Sequence, residues 1–184
     1  MTTTKTASQG SPFWRFSLGF YRRAGVADAC IALQEAAGID VNLLLFLLWH
    51  ATLCHELSIA EVQALEEKVA PWRNAAVIPL RSVRRALKSP NFANETALVP
   101  AATTEFFRTR IKAVELEAER LQQEAMHELA RASPLGRDVG STEAAARTNV
   151  EAYAAVVHAS LPQRAVETLL ATLTAAGEQT SRAG

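Results

Sequence analysis

Side chains that could bind a metal or act as nucleophiles occur together at the end of one apolar segment, "DVNLLLFLLWHATLCHEL". His50 and Cys54 are four residues apart, so on a helix they would project from one face, as two zinc ligands do. Two ligands do not complete a zinc site, and His55 would point about 100° away from Cys54. That separation disfavours a Cys–His nucleophile pair. We therefore expect no metal here and no cofactor.

A second group with chemical potential is a run of basic residues without acids. The segment "WRNAAVIPLRSVRRALK", residues 72–88, contains five cations and no Asp or Glu. On a helix the last four cations fall within about 100° of arc. These four, called the basic stripe below, are Arg81, Arg84, Arg85 and Lys88. Leu80, Val83, Ala86 and Leu87 occupy the opposite half, so we expect them to pack on the core while the basic stripe faces outward.

Arginines arranged in this way can bind phosphate or carboxylate groups in bidentate fashion. One alternative is an acidic partner protein or a phosphate-bearing ligand. Another is purely structural: the arginines pair with acids elsewhere, such as Glu61, Glu66 and Glu67 or the acid-rich segment 115–128. Nucleic-acid binding has the weakest support, because the basic helix has no aromatic stacking surface beside it.

A small-molecule site would need polar groups that meet in a concavity. Gln34, Asn42, His50 and Trp72 are the candidates to line such a pocket together with the arginines. If the arginines point into a concavity shared with Asn42 or Gln34, the pocket is favoured. A stripe in open solvent favours a protein partner.

Composition limits the class of protein. Of 184 residues, 49% are hydrophobic, and 19 Lys+Arg balance 19 Asp+Glu, so no overall field attracts nucleic acid or an acidic membrane. The two cysteines, Cys30 and Cys54, lie in apolar surroundings and indicate reduced, buried thiols. The first ten residues are polar and lack the apolar stretch of a signal peptide, which leads us to expect a cytoplasmic protein.

The leucine run itself predicts a buried helix. Its unbroken apolar part, residues 43–49, is far shorter than the roughly 20 residues that span a bilayer. Leucine or phenylalanine occupies every direction of the helical wheel, which is typical of a helix surrounded by other helices. Asp40 is the expected N-cap, and Gly38 suits the left-handed end of the preceding helix.

The same reasoning divides the rest of the chain into helices. Ser11-Pro12 and the capping box that begins at Ser58 predict helix starts, whereas Pro71-Trp72 predicts a helix end. A later stripe repeats at alternating spacings of four and three residues; its members are Phe107, Ile111, Val114, Ala118, Leu121, Ala125 and Leu129. We expect this stripe to form a helical hairpin with the segment from Ser141 to about Ser160. No segment shows the alternation of a β-strand.

The predicted fold is therefore all-α: one compact bundle of about six to eight helices around a fully apolar central helix, with a C-terminal helical hairpin. The predicted organisation is a disordered tail (1–10), an N-terminal helical core (11–90), a linker (91–102), C-terminal helices packed on the core (103–176) and a second tail (177–184).

Two blocks of residues carry a family resemblance. "FWRFSLGFYRRAGVADACIALQEAAGIDVNLLLFLLW" and "PWRNAAVIPLRSVRRALK" resemble the bacterial family catalogued as domain of unknown function 2390. The resemblance covers about residues 12–90 and implies a cytoplasmic helical protein without an established reaction. Its signature includes Gln34, Asp40, Asn42, Trp72, Arg81, Arg84 and Arg85.

Together these observations favour a non-enzymatic interaction or adaptor protein that uses the basic stripe. The alternative is an enzyme or binding protein for an anionic small molecule, with the pocket described above. Nucleic-acid binding ranks third.

Overall fold

The computed structural model describes residues 10–89 and 98–181, and these residues are mostly helical. The helices are α1 (Pro12–Tyr21), α2 (Val26–Ala37), α3 (Val41–Thr52), α4 (Ile59–Trp72), α5 (Ile78–Ala86), α6 (Ala101–Ala132), α7 (Thr142–Val156) and α8 (Gln163–Ser181). Two short strands, β1 (His55–Glu56) and β2 (Arg137–Asp138), pair antiparallel. The predicted all-α fold is confirmed.

The chain divides into two compact units. Unit 1 comprises residues 1–68 and 123–184, and unit 2 comprises residues 69–122. α4 and α6 each contribute residues to both units. The predicted linker, residues 91–102, lies for the most part outside the described residues, and the predicted domain organisation stays a prediction.

Unit 1 is built around α3. The leucines and the phenylalanine from Leu43 to Leu48 are all buried, which confirms the central apolar helix. α3 packs chiefly against α7 and also against α1 and α8, while α2 packs on α8. Burying one such leucine stabilises the fold by roughly 2 kcal/mol, so this helix is the main source of hydrophobic stabilisation in unit 1.

Local capping signals place the helix ends as predicted. Asp40 accepts hydrogen bonds from the backbone N–H groups of Asn42 (2.8 Å) and Leu43 (3.4 Å). Gly38 closes α2 at φ 64°, in the left-handed region. Ser58 and Glu61 form the expected capping box, with the Ser58 N–H donating to the Glu61 carboxylate over 2.8 Å. These ends depend only on neighbours in sequence, so the sequence was sufficient to predict them.

The two strands are a feature that the sequence did not predict. α3 ends at Thr52, Cys54 turns to φ 59°, and the chain pairs His55 with Asp138 and Glu56 with Arg137. Gly136 makes the approach possible: it has φ +75°, and a Cβ there would lie 2.9 Å from the Glu56 carbonyl oxygen. Two-residue strands are too short to show an alternating pattern.

Two predicted helix boundaries need correction, one in each unit. Pro71 and Trp72 do not end the helix: α4 passes through a π-helical turn, residues 73–77, directly into α5. Pro71 lacks a backbone N–H, and the wider π turn accommodates the changed hydrogen-bond register. α8 likewise continues to Ser181, past the predicted end at residue 176.

The predicted hairpin between the α6 stripe and the next helix stays a prediction. α7 packs chiefly on α3, and its next-largest contact is with α8. The central leucine helix therefore packs mainly on α7, whereas α8 packs mainly on α2.

No helix among the residues that the structure describes is long and apolar enough to cross a membrane.

Candidate functional site

Three members of the basic stripe lie on α5 and Lys88 lies in the turn that follows it; Arg81 and Arg84 are engaged in ion pairs within unit 2. Arg81 Nε lies 3.2 Å from Glu115 Oε1, and its Nη2 lies 2.8 Å from Glu119 Oε1. Arg84 contacts Glu115 with Nε, and its Nη2 donates to Glu115 Oε1 over 3.1 Å. The pairing with the acidic segment, one of the alternatives raised from sequence, is present for Arg81 and Arg84.

Glu115 is the centre of this arrangement. Its side chain is only 7% exposed and accepts from both arginines. Burial by itself would raise the pKa of this carboxyl, but the hydrogen bonds and charges of Arg84 and Arg81 outweigh it and lower the pKa. The pKa of Arg84 is raised, chiefly by its hydrogen bond to Glu115. Both groups therefore stay charged at neutral pH.

These pairs change the expected orientation of α5. Among the nine residues of α5, all of which the structure describes, none is buried. Leu80 and Leu87 are half-buried, whereas Val83 and Ala86 are exposed. The expectation that the apolar half packs inward is met only in part: Leu80 and Leu87 share the half-buried side of the helix with Arg84, whereas Val83 and Ala86 do not.

Arg85 and Lys88, the other two members of the stripe, are exposed. The charge of Lys88 also reaches α6: the pKa of Glu105 is lowered, first by its hydrogen bond with Arg108 and to a smaller extent by the charges of Arg108 and Lys88. A binding role for the stripe remains a prediction, and Arg85 and Lys88 are its solvent-facing members.

The apolar stripe of α6 is only partly covered. Ala118 is buried and Ile111 is half-buried. Phe107, Val114 and Leu121, spaced seven residues apart, remain 44–52% exposed. Glu115, one position after Val114, is the residue that faces α5. Val114 therefore points about 100° away from α5.

Val83 lies on the same side of unit 2 as this exposed row. α5 and α6 run antiparallel: Arg81 reaches Glu119, and Arg84, further along α5, reaches no further than Glu115 on α6. Each helix turns about 100° per residue. When two helices run in opposite directions, the residues that immediately precede two facing residues therefore point to the same side of the pair. Val83 and Val114 precede Arg84 and Glu115. We call Val83, Phe107, Val114 and Leu121 the apolar face.

The residues predicted to line a pocket have separate environments. Asn42 Oδ1 accepts from Gln123 Nε2 at 2.7 Å, and both side chains are buried. His50 lies two turns further along α3, about 12 Å along the helix axis. Gln34 is half-buried on α2. Trp72 belongs to unit 2, where its indole N–H donates to the Ala118 carbonyl at 3.0 Å. The proposed pocket stays a prediction.

His50 occupies an aromatic and histidine-rich surrounding in unit 1. It is 3% exposed, its ring centroid is 4.6 Å from Phe46 and 5.9 Å from His55, and neither ring nitrogen has a hydrogen-bond partner in the described part of the chain. Burial is the largest cause that lowers the pKa of His50 to about 4, and His55 and His127 lower it further against an opposing effect of Glu61. His50 is therefore neutral at pH 7.

Cys54 does not share a helical face with His50, although the four-residue spacing would place both on one face of a continuous helix. Cys54 lies beyond the end of α3, and its Sγ is 3.9 Å from Thr142 Oγ1. Within residues 10–89 and 98–181, no three His, Cys, Asp or Glu side chains are grouped so that they could hold a metal ion. Cys30 is buried, and burial raises the pKa of its thiol to about 12, which leaves it unreactive.

Sequence reasoning missed one polar anchor altogether. Asn149 on α7 is fully buried; its Oδ1 accepts from the Leu57 N–H at 2.7 Å, and its Nδ2 donates to the carbonyls of Leu47 (3.1 Å) and His55 (3.0 Å). These bonds hold the end of α3 and β1 against α7. The signal available in sequence was a single Asn among small and apolar residues of a helix, where Asn is unfavourable unless its side chain is used.

The protein is therefore all-α, and its charged cluster lies between α5 and α6. Residues 12–126 match the family model described as "Protein of unknown function (DUF2390)". The match covers more than half of the chain, so the protein belongs to this family, as the two sequence blocks indicated. No curated protein and no solved structure is significantly similar to the chain.

Proposed function

We propose that this protein is a non-enzymatic interaction protein that docks a partner on the apolar face of unit 2. The observation that carries the proposal is the orientation of α5 and α6: the ion pairs lie between the two helices, while the four large side chains of the apolar face stay exposed. An amphipathic helix normally does the reverse. Contiguous apolar surface that a chain leaves uncovered is typical of an interaction site.

The magnitude supports a docking role. Val83, Phe107, Val114 and Leu121 are each 43–52% exposed. Full burial of such a side chain stabilises by about 1.5–3 kcal/mol, so covering the remaining half contributes roughly 1 kcal/mol each. The four together supply about 4 kcal/mol, a useful part of a binding free energy.

The ion pairs explain why Arg81 and Arg84 face α6. Glu115 and its two arginines need each other as partners, because a buried unpaired carboxylate would be costly. Their mutual attraction keeps the arginine side of α5 turned toward α6 and leaves Val83 outside. Recognition of an acidic or phosphate-bearing group would then rest on Arg85 and Lys88, which are solvent-facing.

Site-specific photo-crosslinking tests the proposal. A benzophenone amino acid is placed in the expressed protein at Val114, on the apolar face, and separately at Thr109, an exposed α6 position on the opposite side of the helix pair. We expect a defined adduct from position 114 and none from position 109. A photo-reactive group at Phe107 combined with Val114→Glu should lose the adduct, whereas Thr109→Glu should keep it.

Equal adduct formation at both positions, or none at position 114, would refute docking on the apolar face. Circular dichroism of each variant establishes that helix content is retained.

A further inference from the structure

We infer that the occupant of the apolar face is a second copy of this chain, with the two α6 helices paired antiparallel about a twofold axis near Val114. This inference rests on the proposed function and names its partner. It is carried by the spacing of the exposed apolar residues and by the charges that flank them.

The spacing matches a helix–helix seam. Phe107, Val114 and Leu121 repeat every seven residues, which brings them onto one line along about 21 Å of helix. A twofold axis at Val114 sets Val114 against itself and Phe107 against the partner's Leu121. Each apolar side chain of the row then meets an apolar side chain, which is the self-complementarity that a twofold dimer requires.

The flanking charges select the direction. Arg110 and Glu117 lie four residues before and three residues after Val114, on the outward side of the row. In the antiparallel pair, Arg110 of each copy lies beside the partner's Glu117, and the contact occurs twice by symmetry. In a parallel pair, Arg110 and the partner's Glu117 would lie on opposite flanks of the seam and could not meet. The attraction between these opposite charges is therefore available only in the antiparallel arrangement, which the charges favour.

The existing partner of Glu117 does not compete strongly. Arg120 donates to Glu117 at 2.7 Å and 2.9 Å, three residues along the same helix. The Glu117 side chain is more than half exposed. Exposed pairs of this kind contribute little to stability, so Glu117 can turn toward a second copy at small cost.

α5 widens the contact beyond a single helix. Because Val83 lies on the same side as Val114, each copy presents two helices to the other, and the twofold axis produces a four-helix arrangement. A single row would bury less than the roughly 800 Å² per partner that stable dimers use. The two-helix face brings the contact toward that range.

Sedimentation equilibrium on the purified full chain tests the inference. We expect a dimer whose dissociation constant rises at least tenfold in Arg110→Glu and in Glu117→Arg. The double variant Arg110→Glu/Glu117→Arg restores opposite charges across the axis and should return the dissociation constant to within about threefold of the wild type. Both substitutions are at exposed positions of α6, and circular dichroism checks that each variant is folded.

Cysteine cross-linking tests the direction independently. Val114→Cys should form a disulfide-linked dimer with itself. Phe107→Cys and Leu121→Cys should each remain monomeric under oxidation but form a mixed dimer together. The wild type, which contains Cys30 and Cys54, serves as the control.

A chain that is monomeric at every concentration, a Phe107→Cys protein that cross-links to itself, or a double charge variant that is not rescued would overturn the inference. The outcome for the proposed function is distinguishable from this one. If the photo-adduct at Val114 has the mass of a different protein, docking on the apolar face stands and self-pairing does not.

Discussion

Removing one arginine from the internal cluster should destabilise unit 2 far more than removing a solvent-facing cation. Arg84 donates twice to Glu115, whose side chain is 7% exposed. In Arg84→Met the methylene stem is largely kept, but both charge-assisted hydrogen bonds are lost. Such bonds contribute about 1.5–3 kcal/mol each. The Arg84 side chain is itself one-quarter exposed, so water replaces part of the loss. We expect a decrease of about 2 kcal/mol in the free energy of unfolding.

The matched control is Lys88→Met, at an exposed position of the same stripe, for which we expect a change within about 0.5 kcal/mol. The free energy of unfolding is measured by urea denaturation followed by circular dichroism, and amide hydrogen exchange in α5 assigns the loss to unit 2. The double variant Arg84→Met/Glu115→Leu should recover most of the loss, because both charges are removed and Arg81 keeps Glu119 as its partner.

If Arg84→Met lowers the free energy of unfolding no more than Lys88→Met does, Glu115 does not depend on its arginine partner. A double variant as unstable as the single one would show that packing, and not the carboxylate, is the source of the effect.

The remaining predictions concern unit 1. His50 has a pKa of about 4 in the folded chain against an ordinary value of 6.5. As the pH falls, the unfolded chain therefore binds a proton at His50 before the folded chain does. The contribution of His50 to the free energy of unfolding is full above pH 6.5 and falls by about 3 kcal/mol by pH 4. His50→Phe should flatten this part of the urea-denaturation profile, whereas the exposed His158→Asn should not. Leu45→Asp places an unpaired charge in the core and should abolish the cooperative thermal melt; a retained melt would contradict the burial of α3. Gly136→Ala should lower the melting temperature more than Gly140→Ala: both residues have positive φ, but only Gly136 closely approaches a backbone oxygen.

The burial of α3 and several helix ends were predictable from residues that are close in sequence. The leucine run predicted its own burial, because apolar side chains in every direction of a helix have no stable alternative in water. Asp40, Gly38 and the Ser58–Glu61 box placed helix ends for a similar reason: each satisfies backbone groups within a few residues. The seven-residue repeat of the exposed α6 row was also visible, as part of the longer stripe.

The sequence could not predict the partners of residues that meet over long separations. Asn149 joins α3 and β1 from more than 90 residues away, and the two strands are brought together by an 80-residue excursion of the chain. Nothing in the local pattern around Asn149 or Arg137 encodes these contacts.

The amino-acid sequence by itself determined that the chain is helical, that α3 is buried and that α5 has one cationic and one apolar side. Only the tertiary structure decided which side of α5 is covered. An amphipathic pattern specifies two faces without specifying the neighbour of either, and Arg84 is compatible with water as well as with a carboxylate. Glu115, 31 residues further along, supplied that carboxylate and brought Arg84 to the covered side of α5, while Val83 stayed exposed.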